Sequence, residues 1–348
     1  MIKETMRIAM YYNNQDIRLE EIPTPHAGPG ELLVKVMASG ICGSDVLEWY
    51  RIKKAPRVLG HEITGEIVGV GEGVDGYQIG ERVFVSHHVP CNECHYCLNG
   101  YHTLCDTLRS TNFDPGGFAQ YIRVPPINVK WGVFPLPEKL SFEEGVFIEP
   151  LACVVRGQRL AGIRKNQVVL IIGSGVSGML HAALARLRGA KLIIATDINN
   201  YRLKLARGFG IDTAIPAGED VCSQIKGINE NRLADRVIVC AGSHSALTQA
   251  LRCVDRGGTV LFFAPMEPGV SFPLPFYDFW YNGITLIPSY GGSPFDIDQA
   301  IDLLQSCRIM VKNMITHRLS LADTAKGFKL VAEANKSLKI VIRPNEKE

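Results

Sequence analysis

The chain has 348 residues, more than one ordinary hydrophobic core supports, so we expect two domains. Its composition, 46% hydrophobic and 21% charged, is typical of a globular protein. The formal net charge is +2, and no long run of one sign is present. This balance argues against binding of nucleic acid or an anionic membrane, and the expected partner is a small molecule.

The sequence gives no indication of secretion or membrane insertion. Residues Met1–Asp16 lack the charged-then-apolar pattern of a secretory signal, and no apolar run is long enough to cross a bilayer. The expected location is therefore the cytoplasm. Five of the ten cysteines stand singly in apolar sequence of a large chain, and we expect them to be buried free thiols: Cys153, Cys222, Cys240, Cys253 and Cys307.

The first part of the chain, Met6–Val129, is predicted to be mostly β-structure. Short β-rich runs such as Leu32–Val36, Ile63–Val70 and Arg82–Val85 are separated by glycine, proline and asparagine turns. The pattern changes near Glu149, where helical periodicity begins. The change indicates a domain boundary.

Four cysteines stand within fifteen residues of this β-rich part, at the spacing C-x2-C-x2-C-x7-C. Four thiolates so close along the chain can surround one tetrahedral metal ion. The spacing therefore predicts a structural zinc site in the segment 91–105, with the ligands Cys91, Cys94, Cys97 and Cys105.

The middle of the chain alternates apolar β runs with helix-length segments. Continuous apolar strands that alternate with helices predict a parallel sheet covered on both faces, and six such strands are typical of a doubly wound dinucleotide-binding fold. The tail adds a helical stretch near Asp298–Ser306 and a last β run at Lys339–Ile342, which we expect to return to the first domain. The six runs are Val168–Ile172, Leu192–Thr196, Thr213–Ile215, Arg236–Cys240, Thr259–Phe263 and Ile284–Pro288.

A glycine-rich turn of the form G-x-G-x-x-G follows the first of these strands and opens a helix. Its glycines allow a tight turn and close approach of the backbone to a pyrophosphate. Asp197, nineteen positions beyond the last glycine, can accept hydrogen bonds from ribose hydroxyls and would repel a 2′-phosphate, which favours NAD over NADP. Arg202 either stacks over the adenine or lies on a solvated helix face. The candidate NAD-binding residues are Gly173, Gly175, Val176, Gly178, Asp197 and Arg202.

Further motifs lie on either side of the cysteine lobe, at Cys42–Asp45, Gly60–Val74, Gly80–Val83 and Gly116–Phe118. With these motifs, the four-cysteine lobe and the Gly173 turn, the chain resembles the zinc-containing medium-chain alcohol dehydrogenases over essentially its whole length. Glu149-Pro150 stands where the classical alcohol dehydrogenases have a cysteine ligand, which makes the chain similar to the sorbitol and polyol dehydrogenase branch.

The resemblance implies a Rossmann doubly wound parallel sheet of six strands and a β-rich GroES-like catalytic domain. The expected domains are a catalytic domain at 1–149, an NAD-binding domain at 150–288 and a C-terminal segment, 289–348, that returns to the catalytic domain. The resemblance also implies a homo-oligomer, either a tetramer or a dimer, with two zinc ions per chain.

By this resemblance a catalytic zinc is held by Cys42, His61 and Glu62, with Glu149 bound directly or through water. A catalytic zinc has few protein ligands and an exchangeable position, so a substrate oxygen can bind it. Ser44 is expected to take the substrate proton and pass it towards the nicotinamide ribose.

Asp45 and Leu47 follow Ser44 within three residues, and both bear on the expected zinc loop and proton transfer. Asp45 is expected to order the zinc loop or a ligand. Many relatives have a histidine five residues after the zinc cysteine as the outer link of the proton relay, but this chain has Leu47, so the proton must leave through Glu48, water or another group.

We therefore predict an enzyme that oxidises a secondary alcohol of a polyol or sugar-like substrate to a ketone. The alternatives are a threonine 3-dehydrogenase-like enzyme, which has the same Cys-His-Glu set, and a non-catalytic cofactor-binding or sensor protein. Three residues after the zinc loop either line the substrate site or serve packing: Leu47, Trp49 and Tyr50. His87 and His88 are expected to be packing or surface residues. A basic cluster could attract an anionic substrate, although such clusters usually face solvent: Arg51, Lys53, Lys54 and Arg57.

Overall fold

The computed structural model describes residues 2–346, which form two compact units. One unit contains the chain up to Ala152 and again from Gly292 onward, and the other contains Cys153–Gly291. The strands are β1 (Thr5–Asn13), β2 (Asp16–Pro23), β3 (Leu32–Ile41), β4 (Arg57–Val58), β5 (Glu62–Val70), β6 (Arg82–Ser86), β7 (Tyr121–Val124), β8 (Val133–Pro135), β9 (Val168–Ile172), β10 (Leu192–Asp197), β11 (Thr213–Pro216), β12 (Ala234–Val239), β13 (Val254–Phe262), β14 (Thr285–Pro288), β15 (Ile315–Ser320) and β16 (Lys339–Arg343).

Many of the helices are short. Within the described part of the chain, no helix is both long and apolar enough to span a lipid bilayer. The α-helices are α1 (Glu48–Arg51), α2 (His95–Leu98), α3 (Asp106–Ser110), α4 (Pro126–Gly132), α5 (Phe142–Gly145), α6 (Ile148–Ala161), α7 (Val176–Leu187), α8 (Asn200–Ala206), α9 (Val221–Ile228), α10 (His244–Cys253), α11 (Phe276–Asn282), α12 (Pro294–Gln305) and α13 (Thr324–Glu333).

The unit formed by the two ends of the chain contains two β-sheets. The smaller has the strand order β2-β1-β4, and the larger has the order β15-β16-β3-β5-β6-β8, with β7 also paired to β3. Apolar side chains of β3 and β5 such as Val34 and Ile63 are fully buried and form the core. The antiparallel register opposes Gly40 to Glu62, and Ile41 of β3 to Ile340 of β16. The end of β3 therefore lies beside the beginning of β5 and beside β16.

The middle unit contains a parallel sheet of six strands in the order β11-β10-β9-β12-β13-β14. This order confirms the predicted doubly wound sheet. All five residues of β9 are buried, as expected for a central strand covered on both faces. The other predicted strands differ from the observed ones by one to five residues at their ends, the most at β13, which begins at Val254 rather than Thr259.

The expectation of buried free thiols is wrong for Cys222 and Cys253, which are not free, and for Cys307, which is not buried. Cys222 of α9 and Cys253 of α10 are joined by a disulfide, with their Cα atoms 5.2 Å apart. The two helices pack on the same face of the sheet, where both cysteines belong to one apolar cluster. Cys307 is a free thiol but is exposed, and Cys153 and Cys240 are only partly buried. The spacing of the cysteines along the chain indicated neither the disulfide nor the exposure of Cys307.

Candidate active site and metal centres

Three candidate zinc ligands come together where β3 ends and β5 begins. Cys42 follows β3 directly, and the antiparallel register places Glu62 of β5 opposite Gly40. One ligand atom from each of Cys42, His61 and Glu62 lies within 4.8 Å of the other two. A thiolate, an imidazole and a carboxylate are the donor types that zinc takes in proteins, so the chemistry of this group fits the metal.

The carboxylate of Glu62 has one oxygen paired and one oxygen unpaired. Lys339 of β16 forms an ion pair with Oε2, and both side chains are almost completely buried, with 1% and 2% exposure. Oε1 is buried and has no hydrogen-bond partner among residues 2–346. A side chain at Gly40 would collide with Glu62 Oε2 and Lys339 Cε, so these two side chains would have to shift to make room for it. A buried carboxylate oxygen without a donor is unfavourable unless a cation binds it, which agrees with a metal at this position.

Asp45 orients the imidazole of His61. Its fully buried carboxylate lies 3.3 Å from Nδ1 of His61 and accepts a 3.0 Å hydrogen bond from the backbone N–H of Cys42. Burial would raise the pKa of Asp45, but His61, Arg51 and the Cys42 N–H together lower it, so the group is ionised. Burial alone would lower the pKa of His61, whereas Asp45 and Cys42 raise it well above the usual value. Because Nδ1 faces Asp45, Nε2 is the ring nitrogen left for a metal.

Arg51 fixes Ser44. Its Nη2 donates to Oγ of Ser44 at 3.0 Å and to Oδ1 of Asp45 at 3.1 Å, while its Nε donates to the Ser44 carbonyl at 3.0 Å. The Ser44 hydroxyl in turn lies 3.4 Å from Sγ of Cys42. We predicted Arg51 only as a member of a basic cluster. Its position at the end of α1, which turns back on the Cys42 loop, was not evident from the spacing.

The other predicted site residues are more dispersed. Glu149 lies in the first turn of α6 and is partly buried, outside the compact three-residue group. Leu47 is partly buried and Glu48 is exposed. His87, expected to be a packing or surface residue, packs against His61 with ring centroids 4.9 Å apart, and the rings of His87 and His88 are 3.8 Å apart. The strand β6 brings these histidines to the site.

The four-cysteine lobe has the dimensions of a tetrahedral metal site. Its four Sγ atoms all lie within 4.8 Å of one another, with separations of 4.0 Å (Cys91 to Cys97), 3.6 Å (Cys94 to Cys97) and 3.6 Å (Cys105 to Cys91). Sulfur atoms about 2.3 Å from zinc at the corners of a tetrahedron are about 3.8 Å apart. Burial raises the pKa of Cys97 to about 12, so metal binding at this site would release a proton.

The glycine-rich turn has the geometry of a phosphate-binding loop. Gly173 has a φ of 100°, which favours glycine, and a side chain at Gly178 would collide with the Gly173 carbonyl oxygen. Both oxygens of Asp197 accept backbone hydrogen bonds, from Ser174 N at 2.7 Å and from Asn199 N at 2.8 Å. Each carboxylate oxygen has a further lone pair, so Asp197 could still accept a bond from a ribose hydroxyl.

The helix α7 begins at Val176 directly after Gly175, whose lack of a side chain leaves the first N–H groups without a side-chain cap. Arg202 of α8 faces this turn: a Cβ placed on Gly175 would lie 3.5 Å from its Nη1. Nε of Arg202 is buried and has no hydrogen-bond partner in the described chain. A cation therefore stands next to the turn that would bind the cofactor.

The chain matches two protein families. Residues 28–138 match the alcohol dehydrogenase GroES-like domain, and residues 177–306 match the zinc-binding dehydrogenase family. Both matches agree with the predicted combination of a GroES-like β-rich domain and a Rossmann-type sheet.

Individual relatives match the chain over nearly its whole length. Sorbitol dehydrogenase of Bacillus subtilis strain 168 is 32% identical, covering 99% of each chain. L-threonine 3-dehydrogenase of Bacillus licheniformis is 33% identical, covering 93% of this chain and 94% of its own length. A crystal structure described as a zinc-binding dehydrogenase from Sinorhizobium meliloti 1021 bound to NADP is 30% identical, with a TM-score of 0.87 and coverage of 98% and 100%.

Proposed function

We propose that this chain, which belongs to the zinc-containing medium-chain alcohol dehydrogenases, oxidises a secondary alcohol of a polyol or sugar-like substrate to a ketone, with NAD as hydride acceptor. The main support is the compact group of Cys42, His61 and Glu62, in which a buried carboxylate oxygen has no partner among the described residues. Zinc bound there would act as a Lewis acid and make a nearby alcohol more acidic. Glu149 is proposed as a further ligand, directly or through water.

In this proposal Ser44 accepts the proton of the substrate alcohol. One lone pair of its Oγ is used by Nη2 of Arg51, which leaves the other lone pair for the substrate hydroxyl. Arg51 cannot accept the proton, because a guanidinium remains protonated. Leu47 cannot accept it either, so the proton must pass from Ser44 to the cofactor ribose, to Glu48 or to water. Arg51 and Asp45 act as positioning residues, since they hold Ser44 and His61 in place.

NAD is proposed as the cofactor, with its pyrophosphate at the turn formed by Gly173, Gly175, Val176 and Gly178. The ionised carboxylate of Asp197 would repel a 2′-phosphate. The relative from Sinorhizobium meliloti was crystallised with NADP, and Arg202 could pair with such a phosphate, so the preference needs a direct test. Asp197→Ser should raise the KM for NAD and reduce the difference in kcat/KM between NAD and NADP. Equal use of both cofactors by the unmodified enzyme would show that Asp197 does not discriminate.

The substrate class has one close competitor. A polyol is supported by the sorbitol dehydrogenase relative and by Glu149 at the position where classical members have a cysteine, whereas the L-threonine 3-dehydrogenase relative is equally similar in sequence. A protein without catalysis is less well supported, because it would need neither the metal-ligand group nor the Ser44 contacts. Initial rates of NAD reduction with sorbitol, L-threonine and ethanol on one zinc-replete preparation separate these possibilities. Higher kcat/KM for threonine than for sorbitol would replace the polyol assignment.

The cysteine lobe is proposed to hold a second zinc in a structural role, which gives two zinc ions per chain. Four thiolate ligands leave no position for a substrate, so this ion would contribute to folding rather than to catalysis. Measurement of zinc per chain in protein purified without chelators tests this proposal. The ligands would be Cys91, Cys94, Cys97 and Cys105.

A homo-oligomer, either a dimer or a tetramer, is proposed for the protein in the cytoplasm. The short helix α11 exposes four aromatic side chains, and the neighbouring β14 is the edge strand of the parallel sheet. Exposed apolar patches next to a sheet edge are typical of surfaces that associate. Light scattering of the purified protein measures the assembly directly. The exposed aromatic residues are Phe276, Tyr277, Trp280 and Tyr281.

A further inference from the structure

The side chain of Lys339 on β16 lies inside the unit formed by the two ends of the chain, next to the candidate zinc ligands. It is almost completely buried, although lysine is rarely buried unless its charge is paired. Its Nζ pairs with Oε2 of Glu62 and lies 3.5 Å from the carbonyl oxygen of Ile41. Nζ also lies 5.6 Å from the centre of the Phe147 ring, within the range of a cation–π contact. These contacts fix the position of the ammonium group.

The same contacts connect this lysine to the chain segments that supply the candidate ligands. Ile41 directly precedes the candidate ligand Cys42, and Phe147 stands two positions before Glu149. The third contact, Glu62, is itself a candidate ligand. One side chain from the last strand therefore touches each of the segments on which a metal would depend.

The ion pair limits how Glu62 can bind a metal. Oε2 is used by Lys339, whereas Oε1 is buried and has no hydrogen-bond partner in the described chain. While the pair is intact, a metal held with Cys42 and His61 can be met by Oε1 alone. A carboxylate that binds through both oxygens fills two positions around a metal, and a catalytic zinc needs a position left for its substrate. The pair therefore keeps a position open.

The positive charge of Lys339 also changes the balance of charge at the candidate metal centre. The thiolate of Cys42 and the carboxylate of Glu62 would together neutralise the charge of a zinc ion. The ammonium group of Lys339 offsets one of these negative charges, because it is paired with the same carboxylate. A metal whose charge is less completely neutralised binds less tightly and is a stronger Lewis acid. The lysine should therefore lower the affinity for zinc and strengthen its effect on a nearby alcohol.

We infer that Lys339 is a positioning residue of the candidate metal centre, which leaves Glu62 one oxygen for the metal and keeps part of the metal's charge from being neutralised. This inference rests on the zinc site of the proposed function and assigns a role to a residue outside its ligand set. Stability alone does not require a charge here, since apolar side chains can often replace a buried ion pair without loss of stability.

Zinc affinity is the first test, because the inference expects a gain where damage to the structure would cause a loss. Lys339→Met should bind zinc at this group about ten- to a hundredfold more tightly, which is the size of effect that the partners of metal ligands have on metal affinity. Competition with a chelating dye measures the affinity, and Cys42→Ala serves as the blank that reports the cysteine lobe alone. Unchanged or weaker zinc binding in folded Lys339→Met would overturn the inference.

Two further variants isolate the charge of Lys339. Lys339→Arg keeps the charge and should tighten zinc binding much less than Lys339→Met. Lys329→Met is the matched control, because Lys329 is exposed and its only ion pair within the described residues is with Glu333. Its zinc affinity should change by less than about twofold, since an exposed charge is screened by salt. Tightening in Lys339→Arg or in Lys329→Met equal to that in Lys339→Met would overturn the inference.

Cobalt in place of zinc reports how many positions around the metal are filled. Four-coordinate Co²⁺ absorbs visible light more strongly than five- or six-coordinate Co²⁺. The absorption should therefore weaken in Lys339→Met, where both oxygens of Glu62 are free to bind the metal. The spectrum of Cys42→Ala gives the contribution of the cysteine lobe and is subtracted. Identical spectra for the unmodified protein and Lys339→Met would show that the lysine does not restrict Glu62, and would overturn the inference.

Both measurements are made without substrate, so they separate this inference from the proposed function. Tighter zinc binding and weaker cobalt absorption in Lys339→Met support the inference even if no polyol is oxidised. Oxidation of sorbitol by the unmodified protein, with zinc affinity and cobalt spectrum unchanged in Lys339→Met, supports the proposed function and overturns the inference.

A second variant covers the case in which Lys339→Met does not fold, as shown by its unfolding transition. Lys339→Gln removes the charge, but its amide can still donate an N–H to Oε2 of Glu62, so the carboxylate keeps a hydrogen bond. The same direction of change in zinc affinity is expected for this variant. Zinc binding no tighter than that of the unmodified protein overturns the inference.

Discussion

The four-cysteine lobe and the group formed by Cys42, His61 and Glu62 bring their ligand atoms together in opposite ways. All four thiols of the lobe come from the segment 91–105, and their buried apolar support is one small cluster around Leu108. The other group joins the end of β3 to the start of β5, within the main core of the larger sheet. The first arrangement has little except its own ligands to hold it, whereas the second is held by strands that pair without a metal.

This difference indicates what a metal does at each place. Where the surrounding chain has few buried contacts, binding free energy becomes folding free energy. Where the backbone is already fixed, the ligand atoms are held near one another in advance, and the metal is available for chemistry. The following variants test the contrast, beginning with the largest expected effect.

Cys94→Ser should remove the metal from the lobe and unfold it locally. Structural zinc in small peptides binds with about 10–16 kcal/mol near pH 7, and the lobe has few other contacts to replace that energy. Limited proteolysis should cleave the variant within 91–105, and its zinc content should fall by one ion per chain. The matched control is Cys307→Ser, because Cys307 is an exposed thiol outside the lobe. Equal protease resistance in both variants would contradict the contrast.

Cys42→Ala should abolish turnover and leave the fold intact. Loss of a Lewis acid costs several kcal/mol of transition-state stabilisation, which corresponds to at least about a thousandfold in rate. The thermal unfolding transition and the affinity for NADH should remain close to those of the unmodified protein, since β3 and β5 keep their pairing. A variant that loses its fold together with its activity would show that this group, like the lobe, depends on its metal for folding.

Lys339→Met should destabilise the chain without any change of ligand atoms. It leaves the carboxylate of Glu62 buried without its cation, and breaking such a buried pair costs about 3–5 kcal/mol. Urea unfolding followed by circular dichroism measures the loss. Lys329→Met is the control, because Lys329 forms an exposed pair with Glu333 that contributes about 0.5 kcal/mol or less. Similar stability of the two variants would show that the buried pair is not a structural support.

Ser44→Ala should have the smallest effect of the four. Positioned proton transfer contributes roughly 10²- to 10⁴-fold to the reaction rate. We expect a loss of kcat of about a hundredfold, at the lower end of this range, because a water molecule beside Arg51 can take over part of the proton transfer. The comparison is made where hydride transfer limits turnover, as shown by a deuterium isotope effect. Ser110→Ala serves as the control, because Ser110 is exposed on α3. An unchanged rate in Ser44→Ala would remove Ser44 from the relay.

The sequence was sufficient to predict those features that depend only on residues close together along the chain. The apolar run Val168–Ile172 is a five-residue strand because every position is buried between two helical layers, and such a run can be recognised without knowledge of its partners. The same holds for the turn at Gly173, whose glycines are required by a positive φ and a close backbone approach. The role of Asp45 beside His61 was also predictable, since it follows from the short Cys42 loop.

Contacts between distant segments could not be predicted. Lys339 meets Glu62 across 277 positions, and nothing in either local sequence points to the other. Cys222 and Cys253 are separated by 31 positions and meet because α9 and α10 pack together. The contacts of Arg51 with Ser44 and Asp45 depend on the direction in which its side chain leaves α1, which periodicity does not specify.

The pairing of β16 with β3 has a consequence for synthesis on the ribosome. The nascent chain presents Glu62 long before Lys339 has been translated, and at about 5–20 residues per second the interval lasts roughly 14–55 s. The residues of the parallel sheet emerge within that interval, whereas the sheet that contains β3 and β5 still lacks two of its strands. The carboxylate cannot form this ion pair until Lys339 has been translated, so the candidate zinc site is completed only after β16 has been made.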